Sequence, residues 1–251
     1  MKKYILIAFM LAAIATKTYA VRPFITDDGV VTGRRLAQWE GWAYFNRFSG
    51  EQWNQVTFGI TERWEVAVGG VWGYYRPQPG QPEFSYATPM FETKYLFYEY
   101  HPGKRPGVAL AIGTALLSGK GAFVQPGRGA YSYLAVTHVF DDNENFTVHG
   151  NIGLNYLHVN RESRYASYWG VGGQVRAFKG LHVIGEVISS DPYDPDMGLA
   201  FQTGFRYFVS NLIQVDVEIG RGLSGKERMP FWVGCGARFV ITKFEKKQKK
   251  A

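Results

Sequence analysis

The sequence predicts an all-β fold: a transmembrane, antiparallel, up-and-down β-barrel of about 12 strands that follows a cleaved signal peptide. Three observations support this prediction. Apolar side chains recur at every second residue in many segments, which is typical of strands. The 251 residues include 30 glycines, 18 phenylalanines, 16 tyrosines and 7 tryptophans, a composition rich in strand and turn formers. The one long apolar run lies at the N-terminus, within residues 1–20.

Residues 1–20 have the three parts of a secretory signal. Lys2 and Lys3 form a charged start, an apolar run extends over residues 5–15, and Thr18-Tyr19-Ala20 ends the segment with small residues. We therefore expect cleavage after Ala20. No later stretch approaches the roughly 18 uncharged apolar residues that a transmembrane helix needs. The mature chain is then expected to be either soluble outside the inner membrane or a β-barrel in the outer membrane.

Strand periodicity is clearest in residues 64–75, WEVAVGGVWGYY. Trp64, Val68 and Trp72 share one face there, and Glu65 and Ala67 share the other. Eleven further segments are predicted strands: 36–46, 53–60, 90–100, 108–118, 131–140, 146–156, 168–178, 181–189, 199–207, 212–220 and 231–244. Twelve is an even number, as in single-chain bacterial barrels with both termini on the periplasmic side.

The connectors between these segments alternate in length. Those after even-numbered strands are brief, such as Thr61-Glu62-Arg63. Those after odd-numbered strands are mostly longer and contain Gly and Pro, such as RPQPGQPEFSYA from Arg76 and GKGAFVQPGRGA from Gly119. Short periplasmic turns and longer outer loops are typical of transmembrane barrels.

Apolar and polar residues also alternate in the strands of a soluble β-sandwich or a lipocalin-like barrel. The polar face therefore has to distinguish these soluble folds from a membrane barrel. Lys94 is the one lysine of the barrel region that lies well inside a predicted strand. Aromatic residues, in contrast, cluster near the predicted strand ends, where interfacial rings are favoured in membranes. These features favour a membrane barrel, with outer-membrane lipid as its surroundings and the outer membrane as its location.

Charge and cysteine content exclude several other functions. Much of the formal charge of +7 lies in the leader lysines and in the terminal EKKQKKA run, so the region between them is nearly neutral. We therefore expect no nucleic-acid partner. The single cysteine, Cys235, excludes an internal disulfide and a multi-cysteine metal site.

Charged and histidine side chains on the predicted inward faces are candidates for lining the lumen. They are Glu40, Glu65, Glu92, Lys94, His149, Arg176, His182, Glu186, Arg206, Asp216, Glu218 and Arg238. Both signs are present, so ion pairs across a narrow interior are expected. Two interpretations stay open: a ladder that only satisfies buried charges, or a polar conduit that selects solutes.

We expect no catalytic residues, cofactor or metal. His149, His182 with Glu186, and Ser189 or Ser190 could suggest a lipid hydrolase. However, His182 and Glu186 are four residues apart on one strand, roughly 13 Å at 3.3 Å per residue. Asp191, Asp194 and Asp196 in DPYDPDM lack an EF-hand register, which favours an ordinary acidic loop over a calcium site.

The segment 21–35 precedes the first strand and contains an apolar Phe24-Ile25 pair, two acids and flexible glycines. Because strand one is expected to begin at the inner mouth, the segment could fold back into the lumen as a partial plug. Asp27 and Asp28 would then pair with Arg176, Arg206 or Arg238. The alternative is a tail that hangs in the periplasm. The barrel would then occupy residues 36–244, and 245–251 would form a basic tail.

Two stretches resemble a known family. Residues 22–29, RPFITDDG, and residues 57–70, TFGITERWEVAVGG, are similar to the outer-membrane β-barrel family named after the meta-pathway of phenol degradation. The resemblance implies a single outer-membrane barrel that passes small molecules, often aromatic or hydrophobic, and it implies no catalytic residues. The expected function is a passive channel or uptake porin. The alternative is a closed barrel with a structural role, or a lipid-modifying enzyme.

Overall fold

The computed structural model describes residues 24–76, 83–114, 118–124, 127–190, 198–225 and 229–241. The predicted signal peptide, residues 21–23, the DPYDPDM segment and the basic tail lie outside these described residues. The described part of the chain contains no helix of sufficient length and apolarity to cross a membrane.

The described residues form one antiparallel sheet of thirteen strands. The strands are β1 (Ala37–Asn46), β2 (Ser49–Gly59), β3 (Trp64–Tyr75), β4 (Glu83–Tyr98), β5 (Gly107–Thr114), β6 (Ser118–Lys120), β7 (Arg128–Val139), β8 (Phe146–Val159), β9 (Glu162–Phe178), β10 (Leu181–Ser189), β11 (Leu199–Ser210), β12 (Ile213–Gly222) and β13 (Trp232–Ile241). Each long strand pairs with its neighbour in sequence, and β13 pairs with β1. The sheet is therefore closed.

The predicted number of barrel strands is confirmed, because β5 and β6 occupy one position in the barrel. Both pair with β4: β5 pairs along Glu92–Tyr98, and β6 pairs along Tyr86–Thr88. They are two parts of the single strand predicted over residues 108–118. Twelve positions around the barrel result, in up-and-down order.

Several predicted strand ends are wrong, most of them at the end of the barrel opposite the chain termini; at the other end, β11 ends at Ser210 rather than at residue 207 and β4 at Tyr98 rather than at residue 100. Strand β2 begins at Ser49 rather than at residue 53, and β4 begins at Glu83 rather than at residue 90. Residues 83–87 of the loop predicted from Arg76 are thus strand. The added residues 49–52 of β2 lack large apolar side chains. Phe84 and Tyr86 of β4 do alternate, but they follow a stretch rich in Gly and Pro that was predicted as a loop.

The connector between β8 and β9 differs most from the prediction. Strand β8 ends at Val159, β9 begins at Glu162, and a two-residue turn joins them. Both turn residues have left-handed backbones, with φ of 50° at Asn160 and 71° at Arg161. Such a turn matches the twist of the strands that it connects, so the hairpin stays tight without a long loop.

Large apolar side chains cover the outer face of the barrel. Those near mid-height are Ile112, Ile152, Leu154, Val171, Val175, Phe205, Val215, Val217 and Ile219, and all are exposed. Exposed aromatic rings mark both ends. We call the end where β1 begins the terminal end, which carries Phe97, Phe140, Phe178 and Tyr207, and the other the loop end, which carries Phe45, Phe84, Tyr165 and Phe231. An apolar band between two aromatic girdles is the outer surface of a membrane barrel.

The apolar band generates a depth-dependent prediction. Val217 lies near the middle of β12 with 48% of its side chain exposed on the outer face. Val217→Arg should lower the free energy of unfolding in lipid vesicles by about 2–4 kcal/mol, because a cation at mid-membrane is poorly solvated. Val209→Arg, near the terminal end of β11, should cost about 1 kcal/mol or less. Equal losses for the two variants would contradict this placement of the membrane.

Candidate functional site in the barrel lumen

Most of the charged and histidine residues singled out in the sequence lie inside the barrel. Ten of them are buried: Glu40, Glu65, Lys94, His149, His182, Glu186, Arg206, Asp216, Glu218 and Arg238. Glu92 is half-buried, and Arg176 is exposed near the terminal end of β9. Strand alternation places them on the inner face. Strand alternation does not bring the His182 and Glu186 side chains into contact with each other. His182 lies edge-on against Phe208, and Glu186 binds the N-terminal segment.

The N-terminal segment, residues 24–35, enters the lumen at the terminal end and crosses it. Five of its backbone N–H groups donate to inward side chains of the wall rather than to a neighbouring strand. These bonds run from Thr32 to Glu65 (2.5 Å), from Gly29 to Thr137 (2.8 Å), from Asp27 to Asn151 (2.6 Å), and from Ile25 and Thr26 to Glu186 (2.6 and 2.9 Å). The segment thereby passes from β3 across to β10.

Lys94 holds the middle of the segment. Its Nζ lies 2.9 Å from Asp27 Oδ2, 3.5 Å from Asp28 Oδ1 and 3.4 Å from Glu65 Oε1. Glu65 and Lys94 are register partners on β3 and β4, so sheet pairing alone brings these two side chains together. One buried ammonium group therefore links two wall strands to the segment.

The prediction that Asp27 and Asp28 pair with an arginine is wrong for Asp27. Asp28, which lies 3.5 Å from Lys94 Nζ, also interacts electrostatically with Arg206 and Arg238. The cation that binds Asp27 is Lys94, because the segment leaves β1 and meets the β3–β4 wall before it reaches the arginines. Arg206 places its guanidinium carbon 5.1 Å from the centre of the Phe24 ring and donates to Gln174 Oε1 (2.5 Å). Arg238 donates to Gln38 (3.2 Å).

Two tyrosines of β7 lie on this side of the lumen, and one of them binds the segment. The Tyr133 hydroxyl donates to Asp27 Oδ2 (2.6 Å), and the Tyr131 hydroxyl donates to Glu92 Oε2 (2.9 Å). They reach across β5 because its inward residues are small. A Cβ at Gly113 would overlap the Tyr131 ring at Cζ. The sequence analysis missed both tyrosines, and the signal that could have found them is the small-residue row Ala109, Ala111 and Gly113.

The wall from β9 to β1 has charges of both signs. Arg206 is the register partner of Asp216, and Arg238 is the register partner of Glu40. Gln214 donates to Asp216 Oδ2 (3.1 Å). Cross-strand pairs of opposite charge stabilise neighbouring strands and offset the desolvation of each buried group.

The loop-end half of the interior is apolar and aromatic. Trp42 and Trp53 stack there with ring centres 5.7 Å apart. They pack with Val71, Ala87 and Met90, and another cluster contains Ile188, Ala200 and Trp232. The cluster of Tyr131, Tyr133 and Tyr168 lies further in, because Tyr131 and Tyr133 are level with Glu92 and Lys94 in the sheet. The inward tryptophans were missed in the sequence, although Trp42 has the same parity as Glu40 and Trp232 the same parity as Arg238. The interior is therefore charged towards the terminal end and aromatic towards the loop end.

The Lys94 cluster generates a stability prediction. Lys94→Met leaves the carboxylates of Asp27, Asp28 and Glu65 buried without this cation and should lower the free energy of unfolding by about 3–5 kcal/mol. Urea unfolding in lipid vesicles, followed by tryptophan fluorescence, measures the loss. Lys94→Arg should lose less because it keeps the charge. Lys104→Met, at an exposed lysine in a turn, serves as the control, and equal stability of the Lys94→Met and Lys104→Met variants would contradict the role of the cluster.

Solved structures with similar folds are porins and channels of low sequence identity. An outer-membrane channel from Pseudomonas putida F1 is 8% identical with a TM-score of 0.61, and the match covers 89% of this chain and 100% of that one. The KdgM porin is 9% identical with a TM-score of 0.58, covering 82% and 99%. The NanC porin is 11% identical with a TM-score of 0.53, covering 81% and 98%. The shared feature is the fold: a barrel of the outer-membrane porin type.

No curated protein sequence gave a match. The family model described as "MetA-pathway of phenol degradation" matches residues 20–231. This range includes the N-terminal segment and all strands except β13. The chain belongs to that family.

Proposed function

We propose that this protein is an outer-membrane channel that admits small aromatic or hydrophobic molecules and is not an enzyme. The observation that carries the proposal is the N-terminal segment in the lumen. The segment is bound to the wall by hydrogen bonds from its backbone N–H groups, which water can replace, and by the ion pairs of Asp27 and Asp28 with Lys94. It acts as a removable constriction. In this proposal the terminal end faces the periplasm, so the segment narrows the inner half of the channel.

The polarity of the interior supports the proposed class of solute. Aromatic clusters at the loop end offer flat apolar surface to a molecule that enters from outside. Beyond them, a solute meets charged groups of both signs. We propose that this charged half, formed by the twelve lumen-lining candidates named from the sequence, selects among the molecules that have passed the aromatic half.

The similar folds support a channel over a closed structural barrel. The KdgM porin has also been solved in complex with disordered oligogalacturonate. The lumen of this protein offers stacked tryptophans in its outer half and stacked tyrosines further in. We therefore assign small molecules with apolar rings or chains to this channel rather than oligosaccharides.

The test is the conductance of single channels in a planar lipid bilayer. Deletion of residues 24–29 should raise conductance severalfold, because it removes the stretch that crosses from β7 to β10. Asp27→Ala combined with Asp28→Ala should give a smaller increase, because it breaks the link to Lys94 but leaves the backbone bonds to Glu186.

A matched control neutralises two exposed acids, Asp142→Ala with Glu162→Ala, and should leave conductance unchanged. Heat-modifiable migration on gels shows whether each variant has folded into a barrel. Unchanged conductance in a correctly folded deletion variant would overturn the role of the segment. Liposome swelling with small aromatic solutes then tests the proposed solute class directly.

A further inference from the structure

We propose that the place occupied by the Phe24 side chain is a binding site for a small aromatic molecule that carries an amide group. The N-terminal segment is then a built-in competitor for that site. We call the site the Phe24 seat and define it by His149, Gly172, Glu186 and Arg206. The inference rests on the proposed function only in assuming that the segment can leave the lumen.

The seat is shaped for one flat ring. Phe24 is 1% exposed, and its ring centre lies 5.1 Å from that of His149 at an interplanar angle of 58°. The Arg206 guanidinium covers the ring at 5.1 Å, a cation–π distance. Gly172 forms the floor, where a Cβ would lie 2.9 Å from Phe24 Cδ1. The absence of a side chain at residue 172 therefore creates the space for the ring.

The Glu186 carboxylate of the seat binds the backbone atoms that follow the Phe24 ring in the chain. Glu186, which is 4% exposed, accepts the N–H groups of Ile25 and Thr26, the two residues directly after Phe24. Gln202 Nε2 also donates to Glu186 Oε1 at 2.6 Å and so fixes the carboxylate. Hydrogen bonds to an ionised carboxylate are stronger than those between neutral groups. A ring followed by amide N–H groups is thus the pattern that this wall binds.

The seat persists without the segment because all four of its residues belong to the barrel wall. They lie on β8, β9, β10 and β11, which pair with one another in order. Departure of the segment would leave Glu186 without two of its donors and a ring-sized space beside it. His149 Nε2 is also buried, without a hydrogen-bond partner among the described residues. An amide ligand carries an N–H for Glu186 and a C=O for a donor nearby.

The amide distinguishes this ligand class from two others. A plain aromatic hydrocarbon would fill the space of the ring but would not replace the two donors that the segment supplies to Glu186, which is costly for a buried carboxylate. An arylalkyl ammonium ion would pair with Glu186 but would place its charge beside Arg206. A neutral aromatic amide donates to Glu186 and avoids that repulsion.

Direct binding provides the test, with a barrel lacking residues 24–29 as the receptor. The probe is a fluorescently labelled peptide with the sequence of residues 24–26, Phe-Ile-Thr, blocked at both ends, and fluorescence anisotropy in detergent micelles reports its binding. The same peptide with alanine in place of phenylalanine should bind at least tenfold more weakly. Glu186→Gln in the receptor should also weaken binding of the Phe-Ile-Thr peptide, and Gly172→Val, which fills the seat, should abolish it. Glu162→Gln, at an exposed glutamate of β9, is the control and should bind as the parent does.

N-acetylphenylalanine amide should displace the labelled peptide, whereas toluene and phenethylamine should do so poorly. The proposal would be overturned if the two peptides bound equally well, or if neither Glu186→Gln nor Gly172→Val changed the binding. If the deletion variant does not fold, Phe24→Ala combined with Ile25→Pro and Thr26→Pro in the full chain removes the ring and both N–H donors to Glu186. In that variant, N-acetylphenylalanine amide should raise the thermal unfolding temperature, and no rise would overturn the proposal.

This measurement separates the seat from the channel. Peptide binding with the expected dependence on Glu186, together with unchanged conductance of the deletion variant, would support the seat and contradict the channel. Increased conductance without peptide binding would support the channel and contradict the seat. If both hold, the peptide added to the deletion variant in a planar bilayer should return conductance towards that of the full chain.

Discussion

Closure of the sheet is the constraint on which the remainder of the structure depends. Strands β1 and β13 pair over ten residues, from Ala37 with Ile241 to Asn46 with Trp232. In lipid each backbone N–H and C=O group needs a partner within the protein, and a closed barrel leaves no unpaired edge. Closure also divides the side chains of each strand strictly into an outer and an inner set. Charged residues on the inner set must then find partners within a narrow interior.

The N-terminal segment is part of how the interior charges are satisfied. Lys94 contacts carboxylates of the segment and of the wall, and Glu186 and Glu65 accept backbone N–H groups of the segment. Wall and segment therefore stabilise each other. Any conformation that opens the lumen has to supply other partners, either water or a solute, to these same groups. In the proposed function, this requirement links opening of the channel to the chemistry of the molecule that enters it.

The two halves of the interior have different physical properties. Aromatic clusters fill space at the loop end through dispersion and burial, and they contain few charged groups. Ion pairs and hydrogen bonds dominate the terminal half, where direction and partner identity matter. The Phe24 ring is an exception, since it lies among Arg206, His149 and Glu186. The Phe24 ring is thus an apolar side chain in the charged half, and polar residues form the space that it occupies.

The sequence by itself determined the barrel, the number of its strands and the inner or outer face of residues such as Val217 and Glu186. These follow from the two-residue period with which apolar and polar side chains alternate. The pattern is local, and contact of the outer face with lipid enforces it. Only the tertiary structure decided that Lys94 rather than an arginine binds Asp27, that Tyr133 reaches it across β5, and that Phe24 lies against Gly172. These contacts depend on the register of strands far apart in the chain and on the path of a segment without periodicity. Neither is encoded in the local pattern, because a side chain's partners across a lumen are fixed only when the sheet closes.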